Sequence, residues 1–356
     1  MYSTQHLGRC FKIFALAIAM YLALLNGQLH AQAPFYQGKT LTVINGNEPG
    51  GTADQRMRAV LPFFKKHIPG APTVVAEYMP GGGGRKVANH ISSAARPDGL
   101  TLAFPPGGFI TYAVFKETGV NYDVNKLIFV GSPESATQYV FLTRKEAGLN
   151  SVEKLRAATG VRIGAQSVGH TIYIVGRLFA HVLGLKDPKF ITGYSGPELD
   201  IVLTRGEIDA RPNIPDTILK RSPDFIKKGT VDFHAMLEIP RGDKHPQFKH
   251  LPEISDIAPT DLDRKVLTLF RSMRLVGSPF ILPPATPKDR VEILREAFRK
   301  IAADPEFRSE FKKLVGDDPT PLSGEAMEKA IRELPIEPSV IEFFKQISGS
   351  GPLPRS

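Results

Sequence analysis

The chain has 356 residues, with 45 Lys and Arg against 36 Asp and Glu and a formal net charge of +9. This length favours two domains over one small core. The basic residues are scattered without a long block, which favours a solvated basic surface over a nucleic-acid-binding patch. The one cysteine, Cys10, lies in a segment expected to be removed, so the mature protein should have no disulfide, thiol nucleophile or cysteine-bound zinc.

Residues 1–33 have the three parts of a secretory signal peptide. Arg9 and Lys12 precede an uncharged apolar run over 13–25, and Ala31-Gln32-Ala33 gives the small-x-small pattern of a cleavage site. The run is shorter than the roughly 20 residues of a membrane span, although an uncleaved anchor is the alternative. We therefore expect an exported protein whose mature chain begins at Pro34, or at Gln32 if cleavage follows Ala31.

After the signal peptide, the apolar pattern alternates between that of strands and that of helices. It predicts a strand over 39–44 and an amphipathic helix over 54–67. Thr52 and Gln55 fit a capping box at the start of this helix. Pro62 should kink or shorten it.

The same alternation continues to the end of the chain. Further strands are predicted over 73–77, 100–104 and 161–165, and further helices over 85–95, over 171–183, from Ser195 to about Gly206, after Thr286-Pro287 and after Asp304-Pro305. Strands that alternate with helices indicate an α/β fold with mostly parallel sheets.

Two loops rich in small residues follow predicted strands and precede predicted helices. The first covers 47–54 (Asn-Glu-Pro-Gly-Gly-Thr-Ala-Asp), and the second covers 167–171 (Ser-Val-Gly-His-Thr). Amides in such a loop and in the first turn of its helix form an anion site. One loop from each half of the chain could hold one anionic ligand across a cleft. The alternative is that Gly50 and Gly51 only make a tight turn. His170 fits either a ligand donor or a helix cap.

Motifs for catalysis, metals and cofactors are missing. The chain has no GxxxxGK[ST] loop, and Ala165 stands where a nucleophile elbow around Ser167 needs glycine. His234, His245 and His250 near Asp243 are expected in a solvated polar loop, not at a metal. We therefore expect no enzyme activity, no catalytic residue, no metal site and no cofactor.

With these residues in view, the chain resembles the substrate-binding receptors of tripartite tricarboxylate transporters, the Bug family. The resemblance depends on an ordered set of short motifs over nearly the whole mature chain. They are Pro49-Gly50-Gly51 with Asp54, Pro80 and the glycines 81–84, Arg-Pro-Asp-Gly-Leu-Thr-Leu at 96–102, Arg-Gly-Glu-Ile-Asp at 205–209, Pro-Ala-Thr-Pro at 284–287 and Ala-Asp-Pro-Glu at 303–306.

The resemblance implies a type-2 periplasmic-binding-protein fold, with a mixed, mostly parallel sheet in each of two lobes and a hinge between them. It implies that 34–135 and 256–356 form lobe 1 and that 136–255 form lobe 2. The protein would be a monomer that binds no nucleic acid, captures a small carboxylate and delivers it to the permease subunits of a membrane transporter. The implied ligand-binding residues are Pro49, Gly50, Gly51, Thr52, Ala53, Asp54, Gly107, Ser167, Val168, Gly169, His170, Thr171 and Asn213.

Some residues depart from the family pattern. Glu48 lies in Gly46-Asn47-Glu48, where the family has Pro-Phe-Ala, and it could repel a carboxylate, pair with an amine or point away. Arg211 could hold a second carboxylate. A periplasmic sensor subunit is the alternative function, because it needs the same two-lobed clamp, and an exported hydrolase is a third.

Overall fold

The computed structural model describes residues 33–354, so the predicted signal peptide lies outside the described residues except at Ala33. The strands are β1 (Thr40–Asn45), β2 (Thr73–Tyr78), β3 (Thr101–Phe104), β4 (Ile128–Ser132), β5 (Tyr139–Arg144), β6 (Arg162–Gly164), β7 (Lys189–Ile191), β8 (Ala210–Asn213), β9 (Val231–Leu237), β10 (Phe280–Leu282) and β11 (Leu322–Ser323). The α-helices are α1 (Thr52–His67), α2 (Arg85–Ser93), α3 (Gly108–Phe115), α4 (Val152–Ala157), α5 (Thr171–Val182), α6 (Gly196–Thr204), α7 (Pro215–Arg221), α8 (Asp224–Lys227), α9 (Asp261–Arg274), α10 (Lys288–Ala303), α11 (Pro305–Val315), α12 (Gly324–Arg332) and α13 (Pro338–Ser348).

The strands form two separate mixed sheets. The first has the order β11-β4-β10-β3-β1-β2, and the second has the order β7-β6-β8-β5-β9. In the first sheet, β1 pairs in parallel with β2 and β3, whereas β10 is antiparallel to both β3 and β4. In the second sheet only β5 is antiparallel to its neighbours. Most strands of each sheet therefore run in one direction, which confirms the predicted α/β class.

We use lobe 1 for the elements around the first sheet and lobe 2 for those around the second. The first sheet takes strands from both parts of the chain, β1 to β4 and then β10 and β11, whereas β5 to β9 lie between them in sequence. The precise division at 135/136 and 255/256 stays a prediction. In lobe 1, α1 packs against α10 and α11, and Phe64, Phe104 and Phe280 are fully buried among them.

Two details of α1 differ from the sequence prediction. The capping box is wrong: Gly51 is the N-cap residue, and no side chain caps the helix. The helix contains Pro62 and continues to His67, so the predicted shortening is also wrong. Pro62 lies on the exposed face of α1, whereas Phe63 and Phe64 carry the packing on the buried face.

The C-terminal segment connects the two lobes. Helix α13 packs on α5 of lobe 2 as well as on α3 and α9. Within α5, the Arg177 guanidinium donates to the carbonyl of Ile347 and to that of Gly351 at 2.8 Å, and the Tyr173 hydroxyl donates to the carbonyl of Gly349 at 2.9 Å. All residues of α5 are buried. The end of the described chain therefore covers the helix that begins at the second glycine loop.

His234 gives the fold a testable pH dependence. It is buried in β9, so the expectation that it lies in a solvated polar loop is wrong, and its Nε2 atom is 2.9 Å from the Thr143 hydroxyl. Burial lowers the pKa of His234 from 6.5 to about 4, although the charge of Asp232 acts in the opposite direction. Between these pH values the unfolded state binds more protons than the folded state, so acidification favours unfolding.

We expect His234→Gln, which keeps an amide near the Nε2 position, to lose less stability on acidification than the wild type. The difference in the free energy of unfolding should be about 2 kcal/mol between pH 7 and pH 5. Because the chain has no tryptophan, urea unfolding should be followed by circular dichroism. If the free energy of unfolding falls equally with pH in the two proteins, His234 does not contribute to the pH dependence of stability.

Candidate functional site

A cavity of about 70 Å³ lies between the two lobes. Lobe 1 contributes the start of α1, the residues Pro106 and Gly107 and the end of α9, and lobe 2 contributes the start of α5 together with residues from β8 and α7. The lobes also contact each other beside the cavity. The hydroxyls of Thr52 and Thr217 are 2.9 Å apart, and Lys220 Nζ donates to the carbonyl of Lys313 at 2.6 Å. The cavity therefore lies between two lobes that contact each other.

The first glycine loop is organised by Asp54. Its buried carboxylate accepts hydrogen bonds from the Gly50 amide at 2.8 Å, Asn45 Nδ2 at 3.0 Å, the Tyr78 hydroxyl at 2.8 Å and Arg58 Nε at 3.1 Å. These bonds fold the loop back so that the start of α1 faces the cavity. Asp54 itself does not line the cavity, so it supports the loop without facing a ligand.

The two glycines of this loop have different roles. Gly50 has φ of +78°, the left-handed region that favours glycine, and it lies outside the cavity. Gly51 has φ of −78°, which any residue adopts, and it lines the cavity. Gly50 therefore fits the expectation of a glycine that only makes a tight turn. Gly51 fits the expectation of a glycine at a ligand site.

We expect Asp54→Ala to destabilise the folded protein by about 2–4 kcal/mol, because it leaves the buried Asn45 amide and three partly buried donors without an acceptor. Asp54→Asn keeps the shape and part of the acceptor capacity, so its cost should be smaller. Urea unfolding followed by circular dichroism measures both. A cost below about 0.5 kcal/mol for the alanine variant would contradict this role of Asp54.

In the second loop, His170 is the N-cap residue of α5 and also lines the cavity. Its Nδ1 atom accepts from the Ile172 amide at 3.2 Å, which leaves the proton of a neutral ring on Nε2. Burial, together with the charge of Arg274, lowers the pKa of His170 to about 4. At neutral pH the ring is therefore uncharged and can donate a hydrogen bond into the cavity. The adjacent Thr171 also lines it.

Gly169 makes an interlobe contact and does not line this cavity. A Cβ atom built on it would lie 1.3 Å from the hydroxyl oxygen of Tyr112, which belongs to α3 in lobe 1. A Cβ atom built on Gly108 would lie 2.1 Å from the Gly169 carbonyl oxygen. The two lobes thus meet backbone to backbone at this point, and Gly169 also has φ of +76°.

Two arginines of lobe 1 share one buried carboxylate at the cavity. Arg56 Nη1 lies 2.7 Å from Glu134 Oε2, and Arg274 Nη2 lies 3.4 Å from Glu134 Oε1. The Nε atoms of both arginines are buried and have no hydrogen-bond partner among the described residues. Gly107 makes room for this cluster, because a Cβ atom on it would lie 1.9 Å from Arg274 Nη1.

Two arginines of lobe 2 have the same arrangement around Asp200. Arg211 Nη1 lies 2.5 Å from Asp200 Oδ1, and Arg221 Nε lies 2.6 Å from Asp200 Oδ2. Asn213 Nδ2 and the Ser222 hydroxyl also donate to this carboxylate, at 3.3 and 2.9 Å. Burial lowers the pKa of Arg211 to about 10, opposed by Asp200, so the guanidinium stays charged at neutral pH.

The structure separates the predicted ligand residues into two groups. Those that line the cavity are Gly51, Thr52, Ala53, Gly107, His170, Thr171 and Asn213, and those that do not are Pro49, Gly50, Asp54, Ser167, Val168 and Gly169. Their contact with a ligand stays a prediction. Sequence reasoning missed Arg56, Arg221, Arg274, Tyr139 and Gln166, although it did note Arg211 and Glu48. The sequence signal that could have identified two of them is that Arg56 and Arg274 interrupt otherwise apolar helix faces. This pattern alone is weak evidence for a binding site.

The described residues offer neither a metal-binding cluster nor a membrane-spanning helix. Across residues 33–354, no group of three or more His, Cys, Asp or Glu side chains could hold a metal ion. Within the same range, every helix is too short or too polar to cross a membrane.

The fold is similar to that of several solved solute-binding proteins. The periplasmic binding protein BugD is 18% identical with a TM-score of 0.65, over 88% of this chain and 98% of that chain. MatC from Rhodopseudomonas palustris, solved with malate, is 16% identical with a TM-score of 0.64, and the match covers 87% of this chain and 99% of MatC. An R. palustris protein solved with adipate is 16% identical with a TM-score of 0.64, and the match covers 87% of this chain and 97% of that chain.

No protein-family model matches the chain, and comparison with curated proteins finds no match. At these identities the structural likeness establishes the fold. The chain has the two-lobed α/β fold of periplasmic binding proteins, as predicted.

Proposed function

We propose that the protein is a periplasmic solute receptor of the tripartite tricarboxylate transporter type, which captures a small carboxylate between its lobes. The observation that carries this proposal is the convergence of two helix N-termini and four arginines on one interlobe cavity. Helix N-termini and guanidinium groups both favour anions, and arginine matches the planar shape of a carboxylate. The similar proteins solved with malate and adipate support the same class of ligand.

We infer binding without chemical turnover. The cavity contains the hydroxyls of Thr52, Thr171 and Ser278, but His170 uses Nδ1 to cap α5. A hydroxyl nucleophile needs an adjacent base that a third group orients, and none of these hydroxyls is hydrogen-bonded to His170 in the described chain. After removal of residues 1–33, the receptor would act as a periplasmic monomer that delivers its ligand to membrane permease subunits.

A ligand panel tests the proposal. We expect small carboxylates such as malate and adipate to raise the melting temperature of the mature protein, whereas uncharged amides should not. A ligand at 100 times its Kd adds about 2.7 kcal/mol of stability. Small-angle scattering should show a decrease in radius of gyration with the same ligands. If no carboxylate raises the melting temperature or compacts the protein, the receptor proposal is wrong.

A further inference from the structure

A second cavity, of about 260 Å³, lies at the boundary between the lobes, and we call it the side cavity. A carboxylate from each lobe lines it: Asp216 is in the first turn of α7 in lobe 2, and Asp317 follows α11 in lobe 1. The backbones are also close here, because a Cβ atom built on Gly316 would lie 3.4 Å from the Asp216 carbonyl oxygen. The side cavity therefore brings together two acidic side chains of opposite lobes.

Asp317 has no basic partner, unlike the residue that follows it. Asp318 pairs with Lys312 at 2.8 Å and lies 3.9 Å from Arg308. Asp317 accepts a hydrogen bond from the Asp318 amide at 2.7 Å, and no Lys, Arg or His side chain within residues 33–354 forms an ion pair with it. A negative charge on Asp317 is therefore not neutralised by a direct contact in the described chain.

A movement that separates the lobes also separates the two carboxylates. Beside Asp216, the Thr217 hydroxyl lies 2.9 Å from the Thr52 hydroxyl of lobe 1, and Lys220 donates to a carbonyl at the end of α11. Thr52 also lines the first cavity, so the lobes cannot move apart there without breaking these contacts. Asp216 is therefore closer to Asp317 in the closed form than in an open one.

The closed form makes Asp317 a weaker acid. Burial raises the pKa of Asp317 from 3.8 to about 6, and the charges of Asp216 and, less strongly, Glu134 act in the same direction. The charge of Arg56 and the Asp318 amide act in the opposite direction. When the lobes separate, water reaches Asp317 and Asp216 moves away, so the two largest causes weaken and the pKa falls toward its ordinary value.

Other charged groups from lobe 2 lie at or near the side cavity. Asp243, Lys244 and His245 line it, and the Lys220 ammonium is engaged by the end of α11. His245 Nε2 lies 3.3 Å from Asp216 Oδ1. His245 belongs to the same lobe as Asp216, and its titration is a competing source of pH dependence.

We propose that closure of the lobes is coupled to the uptake of a proton by Asp317, so that acidification favours the closed form. Where it concerns ligand affinity, this inference rests on the proposed receptor function. Because the closed form holds the proton more tightly than the open form, protonation must by linkage favour closure. Well above pH 6, Asp317 is ionised in both forms and its repulsion from Asp216 opposes closure. As the pH falls below about 6, protonation removes this repulsion.

The affinity of the wild type relative to Asp317→Asn tests this coupling. We expect the affinity of the wild type for a carboxylate such as malate to increase about threefold to tenfold, relative to the variant, between pH 7 and pH 5. The ratio cancels the titration of the ligand itself, and asparagine keeps the oxygen that accepts from the Asp318 amide. At pH 7 the variant should bind more tightly than the wild type, because its side chain is neutral. Calorimetric titration measures both affinities.

Two further variants separate Asp317 from its surroundings. Asp318→Asn removes the adjacent carboxylate, and His245→Gln removes the titrating group beside Asp216, so both should keep the pH dependence of the wild type. Asp216→Asn should reduce it, because the opposing charge is lost. Circular dichroism checks that all variants are folded. If His245→Gln loses the pH dependence and Asp317→Asn keeps it, the coupling belongs to His245 and the inference is wrong.

The coupling can also be measured without a ligand. Lys65→Cys in lobe 1 and Lys227→Cys in lobe 2 place two spin labels at exposed positions, and a chain expressed from Pro34 has no other cysteine. Pulsed electron paramagnetic resonance should show a larger fraction of the shorter interlobe distance at pH 5 than at pH 7. Adding Asp317→Asn should remove this difference.

The outcomes separate this inference from the receptor proposal. If the ratio of affinities stays constant between pH 7 and pH 5, the proton coupling is wrong although the protein still binds carboxylates. If no acid binds at all, the receptor proposal fails, and the spin-label distances then decide the coupling alone. Distances that do not change with pH in that case would overturn it.

Discussion

Gly51→Val should abolish ligand binding while the protein remains folded. Gly51 has a φ that valine adopts without strain, and a Cβ atom on it would meet only the Glu48 carbonyl oxygen, at 3.8 Å. The branched side chain would instead project into the region where the lobes meet, since a Cβ atom built on Gly196 of lobe 2 lies 3.7 Å from Gly51 Cα. The cavity is too small to accept both the added methyl groups and a ligand.

Gly50→Val is the matched control for this prediction. It adds the same side chain one residue away, at φ of +78° and outside the cavity. We expect a stability cost of about 1–3 kcal/mol from backbone strain, and normal affinity of the folded protein. Calorimetric titration measures the ligand affinity of both variants, and circular dichroism checks that they are folded. Near wild-type affinity in Gly51→Val would place the ligand elsewhere.

Gly169→Ala should weaken binding by preventing closure, although Gly169 does not line the cavity. The added methyl group would overlap the Tyr112 ring and separate the lobes at their backbone contact. The φ of +76° adds strain of about 1–3 kcal/mol to the folded state. We therefore expect a lower affinity, and a radius of gyration that no longer decreases when ligand is added.

Tyr112→Ala supplies the second half of a double-mutant cycle. Alone it should reduce affinity modestly, but in the double variant it makes room for the new methyl group, so part of the lost affinity should return. Contacting residues show such non-additivity, whereas independent sites add. Strictly additive losses would mean that the Gly169–Tyr112 contact does not limit closure.

Local sequence patterns were sufficient to predict the α/β class and the strand and helix on either side of each glycine loop. The strand before the first glycine loop and the helix after it were predicted within about two residues, because the apolar period changes from that of a strand to that of a helix. The capping box failed for a reason that no local pattern contains. The Thr52 hydroxyl bonds Thr217, which is 165 residues away in the sequence and in the other lobe.

The candidate site was also partly predictable from local sequence patterns. Glycine loops between a strand and a helix identify helix N-termini, so Gly51 and Thr171 could be found from sequence. The arginine clusters could not be found this way, because Glu134 is 78 residues from Arg56 and 140 residues from Arg274. Asp54 was assigned to the ligand because it belongs to the loop motif, whereas its hydrogen bonds are all to its own lobe.

The attachment of the chain's end to α5 has a consequence for the order of synthesis. Helix α5 is buried on every side, and α13, which follows every other described helix in the chain, covers part of it. Until α13 arrives, α5 exposes apolar surface that favours aggregation. The second half of the cavity is therefore completed only after α13 has been synthesised, and a chain truncated before Pro338 should have an unfinished binding site.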